Sequence, residues 1–324
     1  MQKLKLGIIG VGHLGEIHTR LAKEIEIIDL VGIFDINLDR AKEISKKYEV
    51  PFFTSVEELL TNVDAVSVVV PTKSHYEVAN KALDYDVHLF IEKPITSTLE
   101  EGKSLIEKAK EKGLKIQVGH IERFNPAFLA LQRLDLNPLF IEGHRLSKFN
   151  PRGTDVSVVL DLMIHDIDIV LQLIKSEVKS IDSCGVKVVS DSEDIANVRL
   201  GFENGSVANL TASRISLKNM RKMRIFQKYS YITIDFLEKK TEVFTLKESG
   251  ISPEKGMSFK LGTGKNVREV VYFTPSLDPI NPLETELFLF AKSILEDKKV
   301  PVPPEEALRA LEVAYKILYQ IKHP

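Results

Sequence analysis

Three stretches hold residue types whose spacing can support chemistry: Gly10-Val-Gly12-His-Leu-Gly15, Glu92-Lys93-Pro94 and Asp161-Leu-Met-Ile-His165-Asp166-Ile-Asp168. The first is a Gly-x-Gly-x-x-Gly turn placed directly after an apolar run from Leu6 to Ile9. In a dinucleotide fold Gly10 makes the tight turn, Gly12 admits the backbone to a pyrophosphate and Gly15 lets the next helix pack close to its strand. N–H groups at that helix start then face the phosphates. Asp35 lies twenty residues beyond Gly15 at the end of a second apolar run, where such a fold sets an acid on the adenosine ribose hydroxyls. A carboxylate there repels a 2′-phosphate, and Ile36 and Asn37 bring no arginine to receive one, so NAD is expected over NADP. The competing role for Asp35 is a turn residue or a cap for a helix over 39–47.

Lys93 falls at the end of a predicted strand. A lysine there, beside a nicotinamide ring, can hydrogen-bond a substrate oxygen, and desolvation would lower its pKa and make it a proton carrier. Its alternative is an ordinary surface lysine before a loop. Asp161 and His165 are four residues apart in a stretch that reads as an apolar helix over 156–174, which puts them one turn apart on one face. Asp161, His165 and Asp166 are available metal donors, but no second histidine lies at ligand spacing, so no metal is expected. Hydride removal from a carbinol carbon needs a group to take the hydroxyl proton. His165 is the first choice. Asp161 would orient the substrate or the imidazole, and Lys93 would bind the same oxygen and stabilise developing alkoxide charge. The division of labour between Lys93 and His165 stays open.

The elements around these residues alternate. Strands are predicted at 28–34, 51–54, 65–70, 88–91 and 115–118, with helices at 16–26, 56–60, 74–85 and 99–112 between them, which means a doubly wound parallel sheet. Ligands of such sheets lie beyond the C-terminal strand ends, so the loops at 70–72, 92–94 and 119–120 face the cofactor. After His120 the pattern changes to helical stretches at 126–134 and 156–174. Strand-like segments follow at 195–202, 206–215, 221–236, 241–246 and 267–273, the first two joined by the hairpin signal Asn204-Gly205. Few helices interrupt them, so a mainly antiparallel sheet with helices on one face is expected. Helices at 282–296 and 304–321 close the chain. Two domains result, at 1–121 and 122–324, with the last helix expected to pack back on the first.

The 324 residues suffice for about two domains of ~100 to 200 residues each. A composition of 44% hydrophobic and 28% charged residues with a net charge of -2 excludes a polyanion-binding bias, so no nucleic-acid partner is expected. No apolar run is long enough to span a bilayer, and the start has no signal-peptide form. The lone Cys184 excludes an internal disulfide, fits a reducing cytoplasm and reads as a small core residue.

The chain resembles the glucose-fructose oxidoreductase and inositol dehydrogenase (Gfo/Idh/MocA) family over essentially its full length. Gly10-Val-Gly12-His13-Leu14-Gly15 is similar to that family's N-terminal fingerprint, Pro71-Thr72-x-x-His75 to its loop after the fourth strand, Glu92-Lys93-Pro94 to its lysine loop, and Asp161-x-x-x-His165 to its second-domain catalytic pair. The resemblance implies a Rossmann domain followed by an α/β domain with an open antiparallel sheet. It also implies cofactor contacts from His13, Leu14, Pro71, Thr72, His75, Glu92 and Lys93 besides the glycines and Asp35. NAD(P)-linked oxidation or reduction of sugars and inositols, and a homodimer or homotetramer formed through the sheet, are implied as well. The run Gly119-His120-Ile-Glu122-Arg123-Phe124-Asn125-Pro126, with the Asp161 stretch, is similar to a subgroup associated with UDP-N-acetylglucosamine 3-dehydrogenases. That implies oxidation at C3 of a UDP-N-acetylhexosamine; an inositol or free-aldose dehydrogenase, and a catalytically silent NAD-binding regulator, are the alternatives. Arg123 either approaches the cofactor or a substrate phosphate or forms a salt bridge at the domain joint, and Arg145, Lys148 and Arg152 either meet a nucleotide diphosphate or are solvated charges.

Overall fold

The computed structural model describes residues 2–150, 156–249, 256–276 and 279–323. Its first strand, β1 (Leu4–Ile9), buries every residue except Lys5, as an apolar run flanked by parallel neighbours must. Next come α1 (His13–Glu24), β2 (Ile28–Phe34), α2 (Leu38–Tyr48), α3 (Val56–Leu60), β3 (Ala65–Val68), α4 (His75–Asp84), β4 (His88–Glu92), α5 (Leu99–Glu111) and β5 (Ile116–Gly119). The strands form one parallel sheet in the order β2-β1-β3-β4-β5. The direction of winding reverses between β1 and β3, and a crevice opens beyond the strand ends at such a point. Residues 51–54 form no strand and contribute a single bridge, Phe52 to Ile33.

The chain divides into two compact units, one running to Ile121 and including Ile280–Glu312, the other Glu122–Pro279 with Val313 onward. The stretch from 280 is thus shared between the units instead of belonging whole to the second. Helix packing explains the first part: in α8 (Pro282–Leu295) Leu283, Leu287, Phe290 and Ala291 enter the core built around β1 and α1, and Phe290 meets Phe90 edge-on at 5.8 Å. Helix α9 (Pro304–Lys322) crosses the division between Glu312 and Val313.

The second unit contains α6 (Pro126–Leu129), β6 (Phe140–Leu146), α7 (Ile164–Leu173) and the strands β7 (Val178–Val186), β8 (Ile195–Phe202), β9 (Val207–Ser213), β10 (Met220–Gln227), β11 (Ser230–Asp235), β12 (Lys240–Leu246), β13 (Met257–Leu261) and β14 (Arg268–Phe273). The nine strands make one sheet in the order β13-β14-β12-β11-β10-β6-β9-β8-β7. All pairs are antiparallel except β6 with β9. The predicted strand over 221–236 is a hairpin, β10 and β11, turning at Tyr229 with φ 67°. In β6, Ile141, Gly143 and Arg145 are buried while Phe140, Glu142, His144 and Leu146 are partly exposed, the two-residue alternation of a sheet covered on one face. On the second face a row of rings crosses five strands: Phe140, Phe226, Tyr231, Phe244 and Tyr272, with neighbouring centroids 4.7 to 5.7 Å apart. Cys184 lies exposed on β7 and not in the core.

Candidate active site

The three glycines of the first turn do three different things. Gly10 has φ +88°, and a Cβ there would meet the Val69 carbonyl oxygen at 2.7 Å. Gly15 approaches the Gly10 carbonyl so closely that a Cβ would sit 1.9 Å from its oxygen, which locks the start of α1 onto the turn. At Gly12 a Cβ would meet nothing within 4 Å. That open space faces a cleft of about 630 Å³ lined by Gly10, Gly12, Leu14, Asp35, Ile36, Val70, Pro71, Thr72, His75, Glu92 and Lys93 among others. Gly12 caps α1 with no side-chain hydrogen bond, so its first-turn N–H groups are left for a ligand; His13 and Leu14 stand exposed in that turn.

Asp35 closes the far end. Its Oδ2 accepts the Val11 N–H and its Oδ1 the Asn37 N–H, both at 2.8 Å, which fixes the carboxylate while lone pairs remain for ribose hydroxyls. Capping of α2 falls to Asn37, which accepts the N–H groups of Asp39 and Arg40, so the cap expected as an alternative for Asp35 is its neighbour's, while the bond from the Asn37 N–H also makes Asp35 a turn residue. Ile36 is 94% exposed beside it. These residues fit a dinucleotide: open space at Gly12, helix N–H groups, and an acid at the ribose position.

At the other end of the cleft, His75 is 1% exposed, with Nδ1 2.9 Å from the Pro94 carbonyl and Nε2 2.9 Å from the Val70 carbonyl. Burial pushes the imidazole pKa down, and in the neutral ring one nitrogen donates. His75 therefore lies between the loop after β3 and the loop after β4, donating to a carbonyl of one of them. Lys93 and Glu92 are partly exposed at the C-terminal end of β4, and the Lys93–Pro94 peptide is cis. Burial alone would raise the Glu92 carboxyl, but the His18 hydrogen bond and the Lys93 charge outweigh it and hold it below the ordinary carboxylate range. Two members of this end escape sequence reasoning: His18, wholly buried on α1, and Ser67, wholly buried in β3. The signal was a serine inside the apolar run 65–70.

In the second unit Asp161 and His165 do not share one regular helix. Val159–Met163 forms a π-turn in which the Ile164 N–H donates to the Val159 carbonyl, five residues back, before α7 begins. The uninterrupted helix expected over 156–174 is corrected accordingly. Asp161 and His165 straddle the junction, which sets their relative orientation. Such turns concentrate at functional sites. Leu160, Asp161, Leu162 and His165 are half-exposed on a segment otherwise buried from Ser157 to Leu171.

Two arginine forks hold α7. Arg123 donates from Nε and Nη2 to Asp168 at 2.8 and 2.5 Å. Arg145, 3% exposed, donates from Nε and Nη2 to Asp166 at 3.0 and 2.8 Å and from Nη1 to Glu122 at 2.8 Å. Arg123 makes a salt bridge to Asp168 within the second unit. Arg145 is neither solvated nor open to a diphosphate, because three of its nitrogens are engaged below the surface. Lys148 is exposed, and Arg152 lies outside the described residues. Among the described residues no group of three or more His, Cys, Asp or Glu could hold a metal ion, and no helix is long and apolar enough to cross a membrane.

Comparison with known proteins agrees with both units. The family model described as oxidoreductase family, NAD-binding Rossmann fold, matches residues 4–120, and that of the GFO/IDH/MocA C-terminal domain matches residues 137–228. The chain is 41% identical over 245 residues, 75% of its own length and 78% of the relative's, to the UDP-N-acetylglucosamine 3-dehydrogenase of Acidithiobacillus ferrooxidans. A solved structure of a UDP-N-acetylglucosamine 3-dehydrogenase from that organism superimposes with a TM-score of 0.89 at 34% identity, covering 100% of this chain and 99% of the other. The scyllo-inositol 2-dehydrogenase (NAD(+)) of Bacillus subtilis is 29% identical over 234 residues, 66% of this chain and 68% of that one. Fingerprint, lysine loop, fold and matches agree: the chain belongs to the Gfo/Idh/MocA family of NAD-binding oxidoreductases and is a dehydrogenase.

Proposed function

We propose that the enzyme oxidises a secondary hydroxyl of a nucleotide-activated sugar, C3 of a UDP-N-acetylhexosamine, with NAD as acceptor. One observation carries the substrate: the 41% identity to a UDP-N-acetylglucosamine 3-dehydrogenase across three quarters of both chains. An inositol or free-aldose dehydrogenase is the second reading, favoured by the 29% identical Bacillus subtilis relative.

Gly10, Gly12, His13, Leu14 and Gly15 hold the pyrophosphate, Asp35 the adenosine ribose, and Pro71, Thr72, His75, Glu92 and Lys93 the remaining part of the cofactor; what supports this is the cleft that all of them but His13 and Gly15 line, and the place of those two in the first turn of α1. Arg123 supports α7 through Asp168. When bound, NAD supplies the hydride acceptor. His165 takes the hydroxyl proton, Asp161 orients the substrate or the ring, and Lys93 hydrogen-bonds the same oxygen and stabilises alkoxide charge. Assembly as a homodimer or homotetramer through the nine-stranded sheet belongs to the same reading, supported by the row of rings on its uncovered face, as does a cytoplasmic location, supported by the lone, exposed thiol.

With NAD present, UDP-N-acetylglucosamine is expected to raise the melting temperature more than scyllo-inositol or glucose does, and to yield NADH. Equal shifts for all three, or NADH formation from inositol alone, would overturn the substrate.

A further inference from the structure

A buried line of polar groups runs behind the cleft wall. His18, wholly buried on α1, has Nδ1 2.9 Å from Ser67 Oγ and Nε2 3.2 Å from Glu92 Oε1. An ionised carboxylate only accepts, so the Nε2–H donates to Glu92, while Nδ1 pairs with the Ser67 hydroxyl, which can serve as donor or acceptor. The ring is held edge-on to Phe90, centroids 5.5 Å apart. Glu92 Oε2 in turn accepts the Lys93 N–H at 3.2 Å. Gly119 makes room for it: a Cβ there would lie 2.9 to 3.0 Å from the three carboxyl atoms. The Glu92 carboxylate is thus held by His18 and the Lys93 N–H and bounded by Gly119, and it lines the cleft beside Lys93.

Stability does not require this arrangement. Against apolar residues of similar volume, a buried hydrogen-bonded polar line gains little or nothing, since desolvation offsets its attraction. A leucine at position 18 could pack on Phe90 at lower desolvation cost. What the polar line does provide is orientation, because supporting hydrogen bonds lock the rotamers of a reacting group.

We propose that His18 is a positioning residue which, by fixing the Glu92 carboxylate, sets the Lys93 main chain and with it the Lys93 ammonium for the dehydrogenation. The inference rests on Lys93 acting in catalysis, as proposed above.

The test uses the full chain with UDP-N-acetylglucosamine and NAD, and reads kcat, the calorimetric Kd for NAD and the melting temperature. His18→Leu is expected to lower kcat about 100-fold, the scale of a small misplacement of reacting groups, with the Kd for NAD close to wild type. His18→Gln keeps an N–H aimed at Glu92 and is expected to recover most of that loss. Gly119→Ala, whose Cβ would press on the same carboxylate, is expected to lower kcat with His18 left in place. Unchanged kcat in His18→Leu, a proportional loss of NAD affinity, or a Gln variant no better than Leu overturns the proposal. Should His18→Leu fail to fold, His18→Gln with kcat as low as that of Gly119→Ala overturns it, and near-wild-type His18→Gln beside impaired Gly119→Ala supports it. Lys93→Ala separates the two levels: full turnover in that variant removes the catalytic reading itself, whereas an inactive Lys93→Ala beside an active His18→Leu removes only the role of His18.

Discussion

His165 is half-exposed on a segment whose neighbours are buried, so replacing it perturbs chemistry more than packing. His165→Ala is expected to lower kcat by about 10²- to 10⁴-fold, the usual contribution of a positioned proton acceptor, while the Kd for NAD, measured by calorimetry, stays near wild type. Loss of NAD affinity instead would place the residue elsewhere in the function. A second side chain gives a pH signature. Glu16, in the first turn of α1, has its carboxyl lowered to about 2 by hydrogen bonds from Lys47 and Arg40, with Tyr48 adding to them and burial opposing. Between pH 4.5 and about 2 the unfolded chain binds a proton there that the folded one does not, so this contribution to stability is complete above that window and is lost as pH falls through it. Glu16→Gln is expected to flatten the fall of the urea midpoint across the window; an identical slope would mean the contacts with Lys47 and Arg40 do not survive in solution. At this scale the sequence was readable where a glycine turn and a strand end converge, as Gly12 and Asp35 do on one cleft. It was opaque where a charge finds its partner through the fold: nothing near Arg145 in the chain announces Glu122 and Asp166.

The segment carrying Asp161 and His165, the pair proposed as catalytic, is held by the forks on Asp166 and Asp168. Arg145→Leu would leave two buried carboxylates short of their shared guanidinium, and is expected to destabilise the protein by about 3–5 kcal/mol, read from urea unfolding. A change below about 0.5 kcal/mol, as at an ordinary surface site, would show that Arg145 is not needed there. Among the elements, strict alternation made the first sheet legible, since each strand is bounded by turns and read as a continuous apolar run. The π-turn at Val159–Met163 was not, because an inserted residue in the helix ladder leaves the apolar pattern intact. Nor was the hairpin between β10 and β11, where Lys228 and Tyr229 replace the glycine or asparagine that usually marks a left-handed turn residue. The 3₁₀ turn that follows α6, at Ala130–Arg133, likewise hid inside a helical periodicity.

For the molecule as a whole, the change from alternating to strand-rich patterning signalled two kinds of sheet, but the placement of α8 was beyond it. An apolar helix states that it must be covered and not by which core, and Leu287 and Phe290 chose the first unit's. The uncovered face of the large sheet bears on assembly. Phe226 lies mid-row between Phe140 and Tyr231, and a charge there is unfavourable in an interface core. Phe226→Glu is expected to lower the sedimentation-derived mass of the assembly with NAD binding retained; an unchanged mass would move the contact away from this face. Sequence could give the apolar alternation of these strands but not the alignment of rings across five of them, which depends on register.

Cys184 is the sequence's single thiol, exposed on β7 at the end of the sheet order. A maleimide dye therefore has one address on the native chain, with no cysteine to add or remove, and emission from that address can follow ligand titrations in the second unit alongside the intrinsic fluorescence of NADH bound to the first.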